Sequence, residues 1–329
     1  MSEMTRNTEA VGQAIRNAET IAVCSHTNPD GDTLGSAAAM RLALISLGKK
    51  VTLFCDDKIP DQMNFLPGAD QFRKPTGNEG PFDLLLAVDN ADQGQMGACE
   101  LLIPRSRHTA QIDHHPTNPL FMEINSVDGK CPSNCVLIRE QIRELGVPLN
   151  REIAICLYAG LSTDTGNFSF KGTNAEVFGI MSELMRYDLP LNVLSRVLFL
   201  EKSKEQLLLM GKAINSIRFY CDGKIAVMKL TEQDFAACGA MKEHAESLVN
   251  LGLYTNGTMM AMLAREAGSG MIKISLRAKT PYFVNDVAKN LGGGGHPQAS
   301  GATIAGTLDE VTERVLQTLT DKLNGNVTT

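Results

Sequence analysis

The stretch Asp83–Val88, within FDLLLAVD, constrains the fold more than any other part of the chain. It is a continuous apolar run that ends on Asp89, and it reads as a strand buried on both faces. A strand of that kind needs covering layers, and the neighbouring sequence supplies them. Further strands are expected at Thr20–Cys24, Lys50–Cys55, His108–Ile112 and Leu120–Ile124. Helical patterns fall at Val11–Thr20, Leu34–Leu47 (closed by Gly48), Ser133–Leu145, Asn150–Leu161, Asn174–Tyr187 and Pro190–Leu198. Asp61–Gly68 reads as a loop with one helical turn. Strands alternating with helices imply right-handed βαβ units and a mostly parallel sheet flanked by helices, an α/β fold.

Ligands of such sheets sit beyond the carboxyl ends of the strands. The chemistry-bearing residues gather there. SHTNPDGDTLGS, from Ser25 to Ser36, places His26, Asp30 and Asp32 on one turn between a strand and a helix. Carboxylates crowded on one turn repel unless a cation or hydrogen bonds neutralise them. The plain alternative is an Asx-rich turn with Asp32 or Thr33 as N-cap. Asp89 ends the apolar strand, and Asp113-His114-His115 ends the next one. Asp164 lies at a helix end in STDTGNF, where the helix dipole disfavours a free carboxylate and a nearby cation would remove the penalty. The alternative there is a polar loop before a cap at Thr173 or Asn174.

The set His26, Asp30, Asp32, Asp89, His114 and Asp164 is imidazole and carboxylate without thiolate. It suits manganese, magnesium or iron better than structural zinc. It also holds more carboxylate than one ion neutralises. Two ions sharing a carboxylate, about 3.5–4 Å apart, form the usual clamp for displacement at phosphorus. Cys131 and Cys135 form a CxxxC without the second pair a zinc site needs.

The 329 residues suffice for two domains, and the 43% hydrophobic fraction supports a sizeable core. A formal charge of −6 argues against sequence-independent binding of long duplex DNA, which needs a basic face. With 5% aromatic residues and no Trp, an extensive base-stacking platform is not expected. The N-terminal MSEMTRNTEAVGQAIRN lacks an apolar signal core, and no run approaches transmembrane length. A cytoplasmic protein with no membrane association, its eight cysteines reduced, is therefore expected.

Leu200–Ile214 is helical and charged at its flanks, as befits a connector. A new series follows, with strands at Ile217–Cys221, Ile225–Lys229, Met259–Glu266, Met271–Arg277 and Gly301–Ile304. Helices at Glu243–Leu251, Val284–Leu291 and Leu308–Leu323 accompany them, and Asp222-Gly223 marks a hairpin. Here Gly292-Gly293-Gly294-Gly295-His296 would let backbone N–H groups approach an anion closely; the alternative is a flexible linker. Arg277 and Lys279, at a strand end, either clamp a phosphate or stand as solvated charges. The nearby glycine run favours the clamp.

His26-x3-Asp30-x-Asp32, Asp89, Asp113-His114-His115 and Ser162-Thr163-Asp164-Thr165-Gly166 together resemble the four motifs of the DHH phosphoesterase superfamily. Gly292–His296 and Arg277 resemble its DHH-associated C-terminal domain. The layout is similar to the NrnA-like group, oligoribonucleases and 3′-phosphoadenosine 5′-phosphate (pAp) phosphatases. The resemblance implies a DHH catalytic domain over 1–198, a helical connector over 199–216 and a smaller α/β substrate-binding domain over 217–329. It places the active site in the cleft between them. It implies two Mn2+ ions, with Mg2+ or Co2+ as substitutes. One would take His26, Asp30 and Asp89; the other Asp32, Asp89, His114 and Asp164. Asp113 would hold His114 in its metal-binding tautomer. His115 would face the phosphate and give a proton to the leaving oxygen. Arg277, Lys279 and Gly292–His296 would hold the nucleotide.

Short RNA and pAp are the substrates so implied. A cyclic-dinucleotide (c-di-AMP) or linear-dinucleotide phosphodiesterase would use the same chemistry. A degenerate nucleotide sensor would lack a ligand, and none is missing. The sequence leaves a homodimer open. Where the family often has an arginine six residues after Asp89, this chain has Gln95, so a substrate contact or a surface salt bridge there is expected to differ.

Overall fold

A computed structural model of the chain describes residues 6–325; the outermost residues, including the start of the N-terminal stretch discussed above, lie outside the described residues. The chain divides after Glu201 into two compact units.

In the first unit, α1 (Thr8–Asn17) leads into β1 (Thr20–Cys24), α2 (Gly31–Ser46), β2 (Lys50–Phe54), β3 (Phe72–Arg73) and β4 (Phe82–Val88). After a long stretch of 3-10 turns come β5 (Ser106–Asp113) and β6 (Ile124–Val127), then helices α3 (Asn134–Glu144), α4 (Arg151–Asp164), α5 (Ala175–Leu184) and α6 (Leu191–Ser195). The sheet runs β3-β2-β1-β4-β5-β6, and every pairing is parallel. Ile21 pairs with Val51 on one side and Leu84 on the other. The strand order therefore reverses between β1 and β4, and a crevice opens at their carboxyl ends at such a switch point. The β4 residues Leu84–Val88 are all buried, as their apolar run requires. Leu84, Leu86 and Val88 pack into the larger core with α2, α3 and α4; Leu85 and Ala87 face a second cluster with Met96 and Leu102.

Several boundaries differ from those expected. Helix α2 starts at Gly31, because the extended Asp30 caps it, accepting from the N–H groups of Asp32 and Thr33 at 2.9 and 3.1 Å. Neither Asp32 nor Thr33 is the cap. The strand expected at Leu120–Ile124 lies at Ile124–Val127, since Leu120 has φ +60° and breaks the extended run. The helix expected to Leu198 ends at Ser195 and widens into a π-turn over Arg196–Leu200.

The second unit consists of α7 (Lys204–Ser216), β7 (Arg218–Tyr220), β8 (Ile225–Leu230), α8 (Glu232–Cys238), α9 (Asn250–Leu253), β9 (Met260–Glu266), β10 (Met271–Ala278), α10 (Asn285–Asn290), β11 (Gly294–His296), β12 (Ala299–Ala305) and α11 (Leu308–Leu323). Its sheet runs β11-β12-β10-β9-β8-β7. Only β8 and β9 pair in parallel; the remaining neighbours are antiparallel. Alternate residues of β10 are buried, the mark of a strand with one covered face. Helix α8 was not expected, although Thr231 and Asp234 form the reciprocal capping box that announces it. The helix expected at Glu243–Leu251 is a 3-10 turn at Lys242–Ala245 and the short α9. Among the described residues, no helix is long and apolar enough to cross a membrane.

Candidate metal centre

The six expected ligands come together at the carboxyl end of the first sheet. His26 follows β1, Asp89 follows β4, and both flank the switch point. Thr33, in the first turn of α2, ties the two strand ends together. Its hydroxyl accepts from the His26 N–H and donates to the Val88 carbonyl, both at 3.2 Å. Asp89 takes φ +60°, an unusual conformation for a residue other than glycine, and its N–H donates to the Ile112 carbonyl at 2.9 Å. Strain of this sort persists where surrounding structure enforces it, and it clusters at functional sites.

Helices bring in the remaining carboxylates. Asp32 is fully buried and faces the amino end of α3. Its Oδ1 accepts from Ser133 Oγ at 2.8 Å and the Cys135 N–H at 2.9 Å; its Oδ2 accepts from the Asn134 N–H at 2.5 Å. A carboxylate is stabilised at a helix amino end. Asp164 ends α4, which crosses α2 closely because glycines stand at the contact. A Cβ on Gly160 would strike Asp32 Oδ1, and one on Gly35 would strike the Cys156 carbonyl.

The distances define three overlapping groups of donors, one of them Asp89, His114 and His115. Ligand atoms of His26, Asp30 and Asp89 all lie within 4.8 Å of one another, as do those of Asp32, His114 and Asp164. His26 Nε2 is 3.6 Å from Asp89 and 3.8 Å from Asp30. His114 Nε2 is 3.3 Å from both Asp89 and Asp164 and 3.7 Å from Asp32. Asp89 thus belongs to the first group and reaches the second through His114. Each imidazole is turned to present Nε2, because its Nδ1 faces a carbonyl: Thr27 at 2.7 Å for His26 and Cys131 at 3.1 Å for His114.

Asp113 does not hold His114, contrary to expectation. The turn after β5 aims the buried Asp113 at His115, whose Nδ1 lies 2.8 Å from Oδ1 and whose N–H donates to Oδ2 at 3.1 Å. His115 also lies within reach of Asp89, at 3.7 Å.

The electrostatics describe a site that lacks positive charge. Burial, with the charges of Asp32 and Asp89, pushes the Asp164 carboxyl up to about 10 against partial relief from His114. Burial and Asp89 push Asp32 up to about 6. Burial would lower His26, but Asp89 and Asp30 overturn it and lift the ring to about 9; His114 rises likewise to about 11. Burial would raise Asp89, yet His114 and His26 hold it well below the usual carboxylate range. Its Oδ1 is nonetheless buried with no hydrogen-bond partner among the described residues. A buried carboxylate oxygen without a hydrogen bond, beside three further acids and two Nε2 atoms, fits divalent cations bound by oxygen and imidazole.

Gln95 has a backbone role. Its Oε1 accepts from the Ala91 N–H at 3.0 Å and its carbonyl from the Thr27 N–H at 2.8 Å, so it fastens the loops after β4 and β1 together. A neutral side chain suffices for that.

In the second unit, Arg277 on β10 and His296 on β11 both register with Ala299 of β12, which puts them in one row across the sheet. The half-buried Arg277 guanidinium donates to the Leu276 carbonyl at 3.0 Å, and no carboxylate among the described residues pairs with it. Lys279 is engaged differently, its Nζ donating to the Leu253 carbonyl at 2.6 Å. The glycine run is neither linker nor open loop, since 294–296 form the edge strand β11. A Cβ on Gly293 would strike the Gly301 carbonyl, and Gly295, at φ +134°, would meet the Ala299 carbonyl at 2.6 Å. Packing on β12 therefore accounts for those two glycines; Gly292 and Gly294 face open space.

The family model for the DHH family, N-terminal domain, matches residues 20–161, and that for the DHHA1 domain matches 222–325. The bifunctional oligoribonuclease and PAP phosphatase NrnA of Thermus thermophilus is 32% identical over 305 residues, covering 92% of this chain and 90% of that one. This chain belongs to the DHH family. Within the DHH family, the Bacillus subtilis protein of the same name is 27% identical over 290 residues, covering 87% and 90% of the two chains. The crystal structure of an exopolyphosphatase-related protein from Bacteroides fragilis matches with a TM-score of 0.89 and 26% identity over 96% of this chain and 97% of that one. Three of the four DHH motifs read from sequence fall inside the matched region; the fourth, Ser162–Gly166 with Asp164, lies just past its end.

Proposed function

We propose that this DHH protein is a manganese-dependent phosphoesterase that hydrolyses short oligoribonucleotides to mononucleotides and removes the 3′-phosphate of pAp. The observation that carries the reading is that two His–carboxylate groups meet at Asp89, whose Oδ2 lies 3.6 Å from His26 Nε2 and whose buried Oδ1 lies 3.3 Å from His114 Nε2. The names of the Thermus and Bacillus relatives supply the substrate class.

His26, Asp30 and Asp89 would hold one ion, and Asp32, Asp89, His114 and Asp164 the other. Bound there, two divalent ions supply a water of lowered pKa and positive charge for the attacked phosphate. The chain's own residues do the rest. The carbonyls of Thr27 and Cys131 keep Nε2 of His26 and His114 toward the carboxylates. The N–H groups at the start of α3 hold Asp32 in place. Asp113 fixes His115 through Nδ1 and leaves its Nε2 for the substrate. In the metal-free protein burial opposes protonation of that ring, but Asp113 outweighs it and the pKa is raised. Arg277, with His296 in the same row, would hold a phosphate on the second unit. Lys279 and Gly292–Gly295 would assist less directly, given their other engagements.

The test is a substrate panel with manganese: a short 5′-labelled RNA, pAp, a linear dinucleotide and a cyclic dinucleotide. RNA and pAp should turn over. No product from either, with metal loading verified, ends this reading; turnover of the cyclic dinucleotide alone assigns the site to the other phosphodiesterase class. Arg277→Ala should raise KM roughly 10–100-fold with kcat near wild type, the value of a charge-assisted hydrogen bond of about 1.5–3 kcal/mol. A fall in kcat at unchanged KM would move Arg277 out of ground-state binding.

A further inference from the structure

The fully buried Asp113 has a third partner besides the ring and N–H of His115. Asn118 Nδ2 donates to its Oδ2 at 2.7 Å, the shortest contact that oxygen makes. Asn118 returns to Asp113 through a turn closed by its own N–H on the His115 carbonyl, at 3.2 Å. Its amide is read at both ends. Oδ1 accepts from the Leu120 N–H at 2.7 Å and from Gln111 Nε2 at 3.1 Å. Nδ2 also lies 3.0 Å from the Asn90 carbonyl and from Gln111 Oε1. A backbone N–H can only donate and a backbone carbonyl can only accept, so Leu120 and Asn90 fix which end of the amide is which. Leu120 takes φ +60°, an outlier for a bulky residue, at the point where its N–H meets Asn118. The fully buried Gln111 braces the pair and donates to Asn125 Oδ1 at 2.5 Å.

We infer that Asn118 is a positioning residue for His115: acting through Asp113, it holds the imidazole with Nδ1 engaged and Nε2 directed at the leaving oxygen of the substrate. The inference rests on the reading of His115 as proton donor given above. Of the three donors to the Asp113 carboxylate one is the His115 ring and one the His115 backbone N–H at 3.1 Å, so Asn118 is the one side chain among them that anchors the carboxylate independently of the ring it orients. Without the amide, the 3.1 Å bond from the His115 N–H is the remaining ring-independent hold on Asp113, and the His115 side chain, 28% exposed, is held less firmly. Asn118→Asp is the sharpest substitution. It keeps the size and the acceptor for Leu120, but replaces the donor to Asp113 with a second carboxylate.

The experiment is steady-state kinetics on pAp with manganese for Asn118→Asp, Asn118→Ala, His115→Ala and the two double variants, with manganese affinity measured for each. Each Asn118 variant should lower kcat roughly 10–100-fold, the usual effect of losing a partner one step behind the reacting group. KM and manganese Kd should stay within about twofold of wild type. In the His115→Ala background the Asn118 substitutions should cause no further loss, because they act only through that ring. Losses that multiply overturn the inference. So does manganese affinity falling in step with kcat, which would place the action of Asn118 on the Asp89 loop through Asn90. Should His115→Ala keep wild-type kcat, the role given to His115 fails and the inference fails with it. That result is distinct from a His115-dependent enzyme indifferent to Asn118.

Discussion

Asp89→Ala is expected to lower kcat on pAp by roughly 1,000-fold or more, because on the proposed reading several kcal/mol of charge stabilisation would depend on ions this residue would help to hold. Asp89 lies 3.6 Å from His26 and 3.3 Å from His114, so it touches both donor groups. Its φ of +60° and its N–H bond to Ile112 set the carboxylate at the switch point, and no neighbouring side chain can replace it. Metal content measured on the purified variant should fall for both ions together. Retention of one ion at full occupancy with kcat reduced less than tenfold would remove Asp89 from its shared position.

Asp164→Asn should separate stability from activity. In the metal-free protein, burial and the charges of Asp32 and Asp89 raise the Asp164 carboxyl to about 10. Its unfolded value is about 3.9. A carboxyl raised on folding favours the fold below the unfolded pKa, and that contribution is lost as pH rises from about 4 toward the folded value. At pH 7 the metal-free wild type therefore bears a penalty that an amide does not. The variant should melt several degrees higher than wild type without metal, since 1 kcal/mol moves Tm by about 2–4 °C in a unit of this size. The difference should shrink as pH falls toward about 5. Manganese should raise the wild-type Tm strongly and the variant's far less, because stabilisation follows site affinity. The variant's kcat should fall by more than the roughly 10–100-fold seen when a partner behind the ligand is lost. A metal-free variant that melts below wild type at pH 7 would contradict this picture of the empty site.

Much of this arrangement was legible because a parallel sheet converts sequence position into spatial position. Apolar runs ending on Cys24, Val88 and Ile112 predict three neighbouring strands, so the polar residues after each must meet at one edge. That logic placed His26, Asp89 and His114 without knowledge of any contact. Asp164 was legible because an acid at a helix carboxyl end needs compensation. The finer geometry was not legible. Which histidine Asp113 serves depends on the backbone turn after β5, and nothing in the string DHH states it. Asp30, rather than Asp32 or Thr33, caps the helix and also lies among the donor atoms of His26 and Asp89, so capping and a place in that group are not exclusive. Besides the histidines, the partners of Asp113 and Asp32, among them Asn118 and the amino end of α3, are uncharged amides, hydroxyls and N–H groups that leave no mark in composition. In the second unit, Gly293 and Gly295 answer to the close approach of β12, a contact a glycine run cannot announce on its own.

The most direct test is crystallographic: diffraction from crystals grown with manganese, recorded on both sides of the manganese absorption edge. Two anomalous peaks are predicted, one among His26, Asp30 and Asp89 and one among Asp32, Asp89, His114 and Asp164. A single peak, or peaks that leave Asp89 uncoordinated, would contradict a dinuclear centre built on that carboxylate.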